Sequence, residues 1–332
     1  MIISRSPVRI TLGGGGTDLP SYYEKHGGAL IAAAIDKYTF VTVHPRFEKD
    51  VRLKYSKLEN CEHVSDIKHD IFREALKLLE IKPGLELTSL ADIPGRSGMG
   101  SSGSFTVALL NALHIYRNEF VSQKQLAEEA CKIEIDILKE PVGKQDQYIC
   151  AFGGIKQLRF SKDGKVSVEK LKISEEHINE LENNIMVFYT GITRYASDIL
   201  KEQNEKSKKK NETTLETLHK IKEIGLETKH ALEHGDIDKL GEFLHEHWLT
   251  KKQLSAGVSK PFIDECYTLA RQNGALGGKI MGAGGGGFFM FYHKGTNKEK
   301  TDFVKVLNKK GLKKMEFCFD FKGTEILFNS KA

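Results

Sequence analysis

The sequence predicts an α+β protein of two domains, residues 1–180 and 181–332, with a ligand cleft between them. Three observations carry this. The chain has 332 residues, a length that suits about two domains. Strand and helix patterning occurs on both sides of about residue 180. Neither an internal repeat nor a low-complexity linker interrupts it.

The elements follow in order. The first 60 residues read as strands broken by glycine turns, with a short run at Arg9 to Leu12 and a stronger one at Tyr38 to Val43. Leu85 to Leu90 reads as another strand, and a helix follows over Ser102 to Tyr116. A second helix is predicted over Gln123 to Leu138. Ser122 and Gln125 form a capping-box start, Leu126, Ala130, Ile133 and Ile137 recur at helical spacing, and Pro141 ends it. Ile185 to Tyr189 is a strand. Two helical stripes come next, Leu215, Leu218 and Ile221, then Ile237, Leu240, Leu244 and Trp248, separated by Gly235-Asp236. The remainder predicts a helix over Ile263 to Asn273 and strands at Gly278 to Met281, Phe288 to Tyr292 and near Glu316 to Phe321.

Composition narrows the function classes. At 39% hydrophobic and 29% charged residues the chain is globular, and long enough to bury a core without staples. Its net charge of +5 falls short of the dense basic field of a nucleic-acid binder, and the run Lys206 to Lys210 reads as a solvated face. Five widely spaced cysteines without a CxxC point to free thiols in a reducing compartment. The start, MIISRSPVRI, lacks a signal-peptide core, and the longest apolar stretch, Ala29 to Ile35, is too short to span a bilayer. The expectation is a cytoplasmic protein with neither nucleic-acid nor membrane partners. Oligomeric state is not legible.

The most informative segment is Pro94 to Ser104, PGRSGMGSSGS, between a strand and a helix. Glycines let backbone N–H groups approach phosphate oxygens, and the helix N-terminus adds unpaired donors and a positive dipole end. Ser101 and Ser102 can cap the helix, and a serine hydroxyl can ligate Mg²⁺. A plain capped turn needs one glycine and one serine, whereas Gly95 to Ser104 holds four of each. Gly98, Gly100 and Gly103 fit GxGxxG, but a second helix follows where a dinucleotide fold needs a strand. Walker A fails because Ser101 stands where lysine is required.

Phosphoryl transfer also needs a metal ligand and a group to orient or deprotonate the nucleophile. Glu134 lies beside the stripe residue Ile133, where a solvated carboxylate is the commoner outcome. Asp146 sits in GKQDQYICAFGG, where an ordinary helix N-terminal aspartate is the alternative. Two further glycine runs accompany them. RSPVRITLGGGGTDLP ends in Thr17-Asp18, a polar pair available to bind hydroxyls. KIMGAGGGG, Lys279 to Gly287, lies between two apolar strands and includes Gly284 and Gly285. Flexible turns are the alternative for each run, but three independent ones are an unlikely account.

These three segments, in this order, resemble the three motifs of the GHMP kinase superfamily, and the resemblance covers nearly the whole chain. It implies a ribosomal-S5-domain-2-like N-terminal domain and a ferredoxin-like C-terminal domain. It implies ATP and Mg²⁺ as co-substrate and cofactor, with a sugar or sugar phosphate as acceptor. By position, Asp146 would be the catalytic base and Arg9 would lie near it and the transferred phosphoryl group. Gly98, Gly100, Ser101, Ser102 and Gly103 would bind the ATP phosphates, and Ser102 and Glu134 would hold Mg²⁺. Thr17, Asp18, Gly284, Gly285 and Arg194 would bind substrate.

Galactokinases carry GEHTD where this chain has Gly15-Gly16-Thr17-Asp18, which argues against galactose. GGGGTDLP, with TGITRYAS from Thr190 to Ser197, looks most like bacterial D-glycero-D-manno-heptose 7-phosphate kinases. That implies transfer to the anomeric hydroxyl on the route to GDP-heptose and surface glycans, and a second phosphate for which Arg5 and Arg194 are candidate partners. Fucokinase-type enzymes are the alternative. An inactive sugar-binding regulator is a further class, which the presence of Asp146, Glu134 and Ser102 disfavours. HALEH, His230 to His234, fits a zinc pattern but has no recognisable downstream ligand, and His245 and His247, two apart, point in different directions on a helix.

Overall fold

Burial along the strands follows their side-chain patterns. In the computed structural model, which describes residues 1–193 and 212–330, Gly28 to Ile35 is buried at every position, as an apolar run covered on both faces must be. From Thr39 the same strand alternates, with Thr39, Val41 and Val43 buried. Phe289 and Phe291 enter one core while Phe288, Met290 and Tyr292 enter another, the period-two pattern of a strand between two layers.

In chain order the elements are β1 (Ile2–Gly13), α1 (Pro20–His26), β2 (Gly28–Pro45), β3 (Val51–Lys54), β4 (Leu58–Cys61), α2 (Asp70–Leu78), β5 (Leu85–Ala91), α3 (Ser101–Tyr116) and α4 (Gln123–Cys131). A π-helical turn, Lys132–Ile137, extends α4. Then come α5 (Gln145–Phe152), β6 (Ile155–Phe160), β7 (Val166–Lys170), α6 (Glu175–Asn184), β8 (Ile185–Tyr189), α7 (Glu212–His234) and α8 (Lys239–Lys251). The chain closes with α9 (Pro261–Gln272), β9 (Gly277–Ile280), β10 (Phe288–Tyr292), α10 (Asn297–Lys309), β11 (Lys313–Met315) and β12 (Glu325–Asn329).

Eight strands form the first sheet, in the order β12-β1-β2-β5-β3-β4, with β6 and β7 branching from the first half of β2. The register of β1 on β2 runs from Ile2↔Val43 to Gly13↔Ile31, with irregularities at Pro7/Val8 and Thr11/Gly13. The second sheet, β11-β8-β10-β9, is antiparallel throughout. Helices α9 and α10 cover one of its faces through Ile263, Tyr267, Phe303 and Leu307. Its other face shares a core with Leu240 and Leu244 of α8 and with Val8, Ile10 and Leu12 of β1. That shared core holds the two sheets to one another. β12 crosses back to pair with β1, so the described chain ends in the sheet where it begins.

Two expectations are corrected. The helix expected over Gln123 to Leu138 starts as predicted, with Ser122 Oγ accepting the Gln125 N–H at 3.1 Å, but it widens after Cys131. The Leu138 N–H donates to the Ile133 carbonyl at 2.9 Å, five residues back. The strand expected near Glu316 to Phe321 is a single bridge, Ile35↔Phe319. There the Asp36 and Glu182 carboxylates accept the N–H groups of Cys318 and Phe319 and break the ladder. Cys131, Cys150 and Cys266 are buried and all five cysteines are free. No helix among the described residues is long and apolar enough to cross a membrane.

A buried ion-pair network pins α3 to α4. The imidazole of His114 lies 2.9 Å from Glu119 and 2.7 Å from Glu129. Burial alone would lower its pKa, but the hydrogen bonds to Glu129 and Glu119 outweigh that and raise it. Burial would likewise raise Glu129, yet His114 and Gln125 hold it below the usual carboxylate range. The histidine's contribution is therefore complete below the unfolded value of about 6.5 and is lost as pH rises through the raised folded value. The contribution of Glu129 is present above its unfolded value and is lost as pH falls through the lowered folded one. In urea titrations, His114→Gln is expected to cost about 1–3 kcal/mol in the window between the two, and less as pH climbs past the folded histidine value. A difference that stays constant with pH would show that the pair is not charged.

Candidate functional site

Three loops meet one cavity of about 500 Å³. They are the turn after β1, the segment before α3 and the glycine run after β9. Arg9, on β1, is 3% exposed and therefore needs partners for a charge that cannot reach water. Its Nε donates to Asp146 Oδ1 at 2.7 Å, its Nη1 donates to the Gly98 carbonyl at 2.7 Å, and its backbone N–H donates to the Met99 carbonyl at 2.9 Å. Asp146 lies in the first turn of α5, where the helix dipole favours a carboxylate, and its side chain reaches the cavity.

This approach depends on missing side chains. Gly100 has φ +77°, and a methyl there would lie 3.1 Å from the Asp146 Cγ; one on Gly103 would lie 2.9 Å from the Asp146 Cβ. Gly98 and Gly282 meet backbone to backbone, with a methyl on Gly282 only 2.7 Å from the Gly98 Cα. The glycine run thus buttresses the serine–glycine loop while Arg9 ties that loop to β1.

Glu134 sits on the π turn and is 2% exposed. The extra residue of that turn carries it inward, where Ser102 Oγ donates to its Oε2 at 2.6 Å and Gln147 Nε2 donates to its Oε1 at 3.1 Å. Burial raises its pKa to about 7, with the Ser102 and Gln147 hydrogen bonds opposing. The Ser101 hydroxyl, at the head of α3, is buried and has no hydrogen-bond partner among the described residues. A buried carboxylate, an adjacent serine hydroxyl and an orphaned one form a hard oxygen donor set that fits Mg²⁺. Among the described residues no three His, Cys, Asp or Glu side chains gather into a metal cage, so such an ion would need a ligand's oxygens as well.

Asp18 is buried in the lining of the same cavity, accepting the N–H groups of Gly16 at 3.0 Å and Gln145 at 3.3 Å. Burial first, then the Asp146 charge, raises its pKa. Thr17, expected beside substrate, turns away from the cavity: its hydroxyl lies 2.8 Å from the Gly14 carbonyl and 2.9 Å from that of Ala29, closing the β1 turn. Gly284 and Gly285, also expected at substrate, lie against Val258, and the Gly285 N–H donates to the Val258 carbonyl at 2.7 Å. From that run the cavity takes Met281, Gly282 and Ala283 instead. Arg5 is engaged elsewhere, paired with Glu325 at 2.7 Å and over the Tyr38 ring. Arg194 lies outside the described residues. The HALEH histidines stack on each other, and His234 Nδ1 lies 2.8 Å from the His230 carbonyl oxygen.

Sequence reasoning missed Thr11, Gln145, His247, Lys251 and Lys279 in the lining. Lys279 opens the third glycine run and His247 belongs to a motif dismissed on pairwise spacing, so their signals were present but unattached to a site. A neighbouring recess of about 300 Å³, lined by Tyr55, His69, Phe72, Leu90 and Phe105, was also not legible. His69 borders both spaces.

Comparison with known proteins agrees with this layout. The GHMP kinases N terminal domain family matches residues 67–154 and the GHMP kinases C terminal family matches residues 228–308. The D-glycero-alpha-D-manno-heptose 7-phosphate kinase of Campylobacter jejuni is 32% identical over 336 residues, covering 98% of each chain. The L-fucokinase/L-fucose-1-P guanylyltransferase of Bacteroides fragilis is 27% identical across 89% of this chain, which spans 35% of that protein. The crystal structure of a D-glycero-D-manno-heptose 1-phosphate kinase from Bacteriodes thetaiotaomicron superposes with a TM-score of 0.82 at 25% identity, covering 99% of both chains.

The Gly98–Gly282 contact yields a direct test. Gly282→Ala places a side chain at φ +64° against the Gly98 backbone, and urea denaturation should show a loss of about 1–3 kcal/mol or more. Wild-type stability would mean that the two loops are not in backbone contact.

Proposed function

Because the chain belongs to the GHMP kinases, we propose that this sugar kinase transfers the γ-phosphoryl group of ATP to the anomeric hydroxyl of D-glycero-D-manno-heptose 7-phosphate, giving the 1,7-bisphosphate, in the cytoplasm. The observation that carries the transfer chemistry is the Arg9–Asp146 pair set against the N-terminus of α3 in one cavity. The near full-length likeness to the Campylobacter jejuni heptose 7-phosphate kinase supports the acceptor. The name of that protein gives a heptose 7-phosphate as substrate, a sugar whose anomeric hydroxyl is free.

In this reading the free N–H groups at the head of α3 receive the ATP phosphates, with Gly98, Gly100 and Gly103 keeping the approach clear. The aromatic recess beside His69 and Phe105 suits the adenine ring. Mg²⁺, held by Ser102 and Glu134, would offset phosphate charge. Asp146 accepts the proton of the anomeric hydroxyl as its oxygen bonds to the γ-phosphorus and the bond to the bridging oxygen of ADP breaks. Arg9 orients the Asp146 carboxylate and keeps its charge compensated. Asp18 has lone pairs left after its two backbone bonds, and these can accept from sugar hydroxyls.

Asp146→Asn should lower kcat by about 10²–10⁴ while changing KM for ATP little, measured by coupled ADP release. Near-wild-type turnover in the folded variant would remove Asp146 from the mechanism. Glu134→Gln should raise the Mg²⁺ concentration for half-maximal rate on the order of 10-fold, and an unchanged Mg²⁺ dependence would exclude that ligand. The acceptor itself is tested by kcat/KM for D-glycero-D-manno-heptose 7-phosphate, the unphosphorylated heptose, L-fucose and D-galactose, with the product phosphate located by NMR. Preference for a free sugar would reject the heptose phosphate and leave the kinase standing.

A further inference from the structure

One pair of cavity residues has no part in the chemistry above. Arg9 and Thr11 lie two apart on β1, with unbroken register against β2 between them, so their side chains share one face of the strand. From that face each reaches the first turn of α5. Arg9 holds Asp146, and the Thr11 hydroxyl donates to Gln145 Oε1 at 2.7 Å. Thr11 is 5% exposed, and Gln145 is its hydroxyl's one hydrogen-bond partner among the described residues. Thr11 and Gln145 both line the cavity, together with Asp18 and Asp146.

Gln145 is fixed from two directions. Its backbone N–H donates to Asp18 Oδ2 at 3.3 Å, and its carboxamide oxygen is taken by Thr11. Asp18 comes that close because Gly143 has no side chain, and a methyl there would collide with the Asp18 carboxylate. With the oxygen engaged, the two N–H donors of the amide remain, and they make no hydrogen bond among the described residues. Two residues along a strand span roughly 7 Å. The Thr11–Gln145 contact therefore stands off from the Arg9–Asp146 contact on the scale of a pyranose ring with its hydroxyls. A sugar hydroxyl accepts as well as donates, and a carboxylate can only accept from it. Asp18 and Asp146 supply acceptors, and the Gln145 amide adds a neutral donor to the same lining.

We propose that Gln145 binds the acceptor sugar, its amide N–H donating to the oxygen of a ring hydroxyl while Asp146 meets the anomeric one, and that Thr11 is the positioning residue that aims the amide. The inference rests on the reading of the acceptor as a heptose that meets Asp146. Without the Thr11 hydroxyl the carboxamide is free to turn its oxygen toward the sugar, where two carboxylates already accept. The contact is to the ring and not to the phosphate, so it serves the phosphorylated and the unphosphorylated sugar alike.

The experiment measures kinetics of the full-length wild type, Gln145→Met, Thr11→Val, Thr11→Ser and the Gln145→Met/Thr11→Val double variant with the heptose 7-phosphate, the unphosphorylated heptose and ATP. Methionine keeps the unbranched stem of glutamine, and valine keeps the branched shape of threonine on a strand. Gln145→Met should raise KM for both heptoses by the same factor, about 5- to 50-fold, the scale of a lost hydrogen bond that leaves its partner unpaired. KM for ATP should stay within about twofold. Thr11→Val should give a smaller rise, about 3- to 10-fold, and Thr11→Ser, which keeps the hydroxyl, should recover most of it. The double variant should match Gln145→Met to within about twofold, because Thr11 acts through the amide. Losses that multiply in the double variant would overturn the role of Thr11. If the wild type turns over the heptoses and Gln145→Met leaves their KM unchanged, the contact is wrong while the acceptor reading stands. A rise confined to the phosphorylated sugar would assign the amide to the phosphate, and a rise in KM for ATP as large as that for the sugars would make the residue structural; either result overturns the proposal. If the wild type turns over neither heptose, the acceptor reading and the contact fall together.

Discussion

The guanidinium of Arg9 is the contact on which the rest of the site depends. It joins a sheet strand, the segment before α3 and the first turn of α5 in one set of bonds, to the Gly98 carbonyl and to Asp146. A buried arginine without partners is untenable, so whatever moves one of those three elements exposes the others to an uncompensated charge. The glycines follow from that requirement. Side chains at Gly100 or Gly103 would meet Asp146 and push the helix away, and a side chain at Gly282 would push the loop away. Two glycine-rich stretches far apart in sequence are thus answers to one packing problem.

Around this pair the cavity separates its charges. On one side Glu134 is buried next to two serines at the head of α3, an environment that raises a carboxylate pKa and calls for a cation. Where β9 packs on α8, Lys279 and His247 are buried against each other, an environment that lowers their pKa values. The core that Val8, Ile10 and Leu12 share with Leu240, Met290 and Tyr292 keeps those walls at a fixed separation.

Much of the outline was determined by the sequence alone. Period-two and period-3.6 patterns located β1, β2, β5, α3, β8, α7, α8 and α9, and the glycine–serine run marked the anion-binding helix N-terminus, because these signals are local and each residue carries its own share. Arg9, Asp18, Gly98, Gly100, Ser101, Ser102, Glu134 and Asp146 stood out by motif, and the fold brings all eight to one cavity. What only the tertiary structure decided is where a side chain points and what stands across from it. Thr17 faces a carbonyl pair because the β1 turn needed closing, and Gly284 and Gly285 serve Val258 because the run behind Gly98 had to be held. Glu134 turns inward because one extra residue widens its helix, which apolar spacing does not report. Lys279 and Lys251, 28 positions apart by their numbers, become neighbours only when β9 packs on α8. Burial and long-range pairing belong to no single segment, so no reading of segments one at a time could have supplied them.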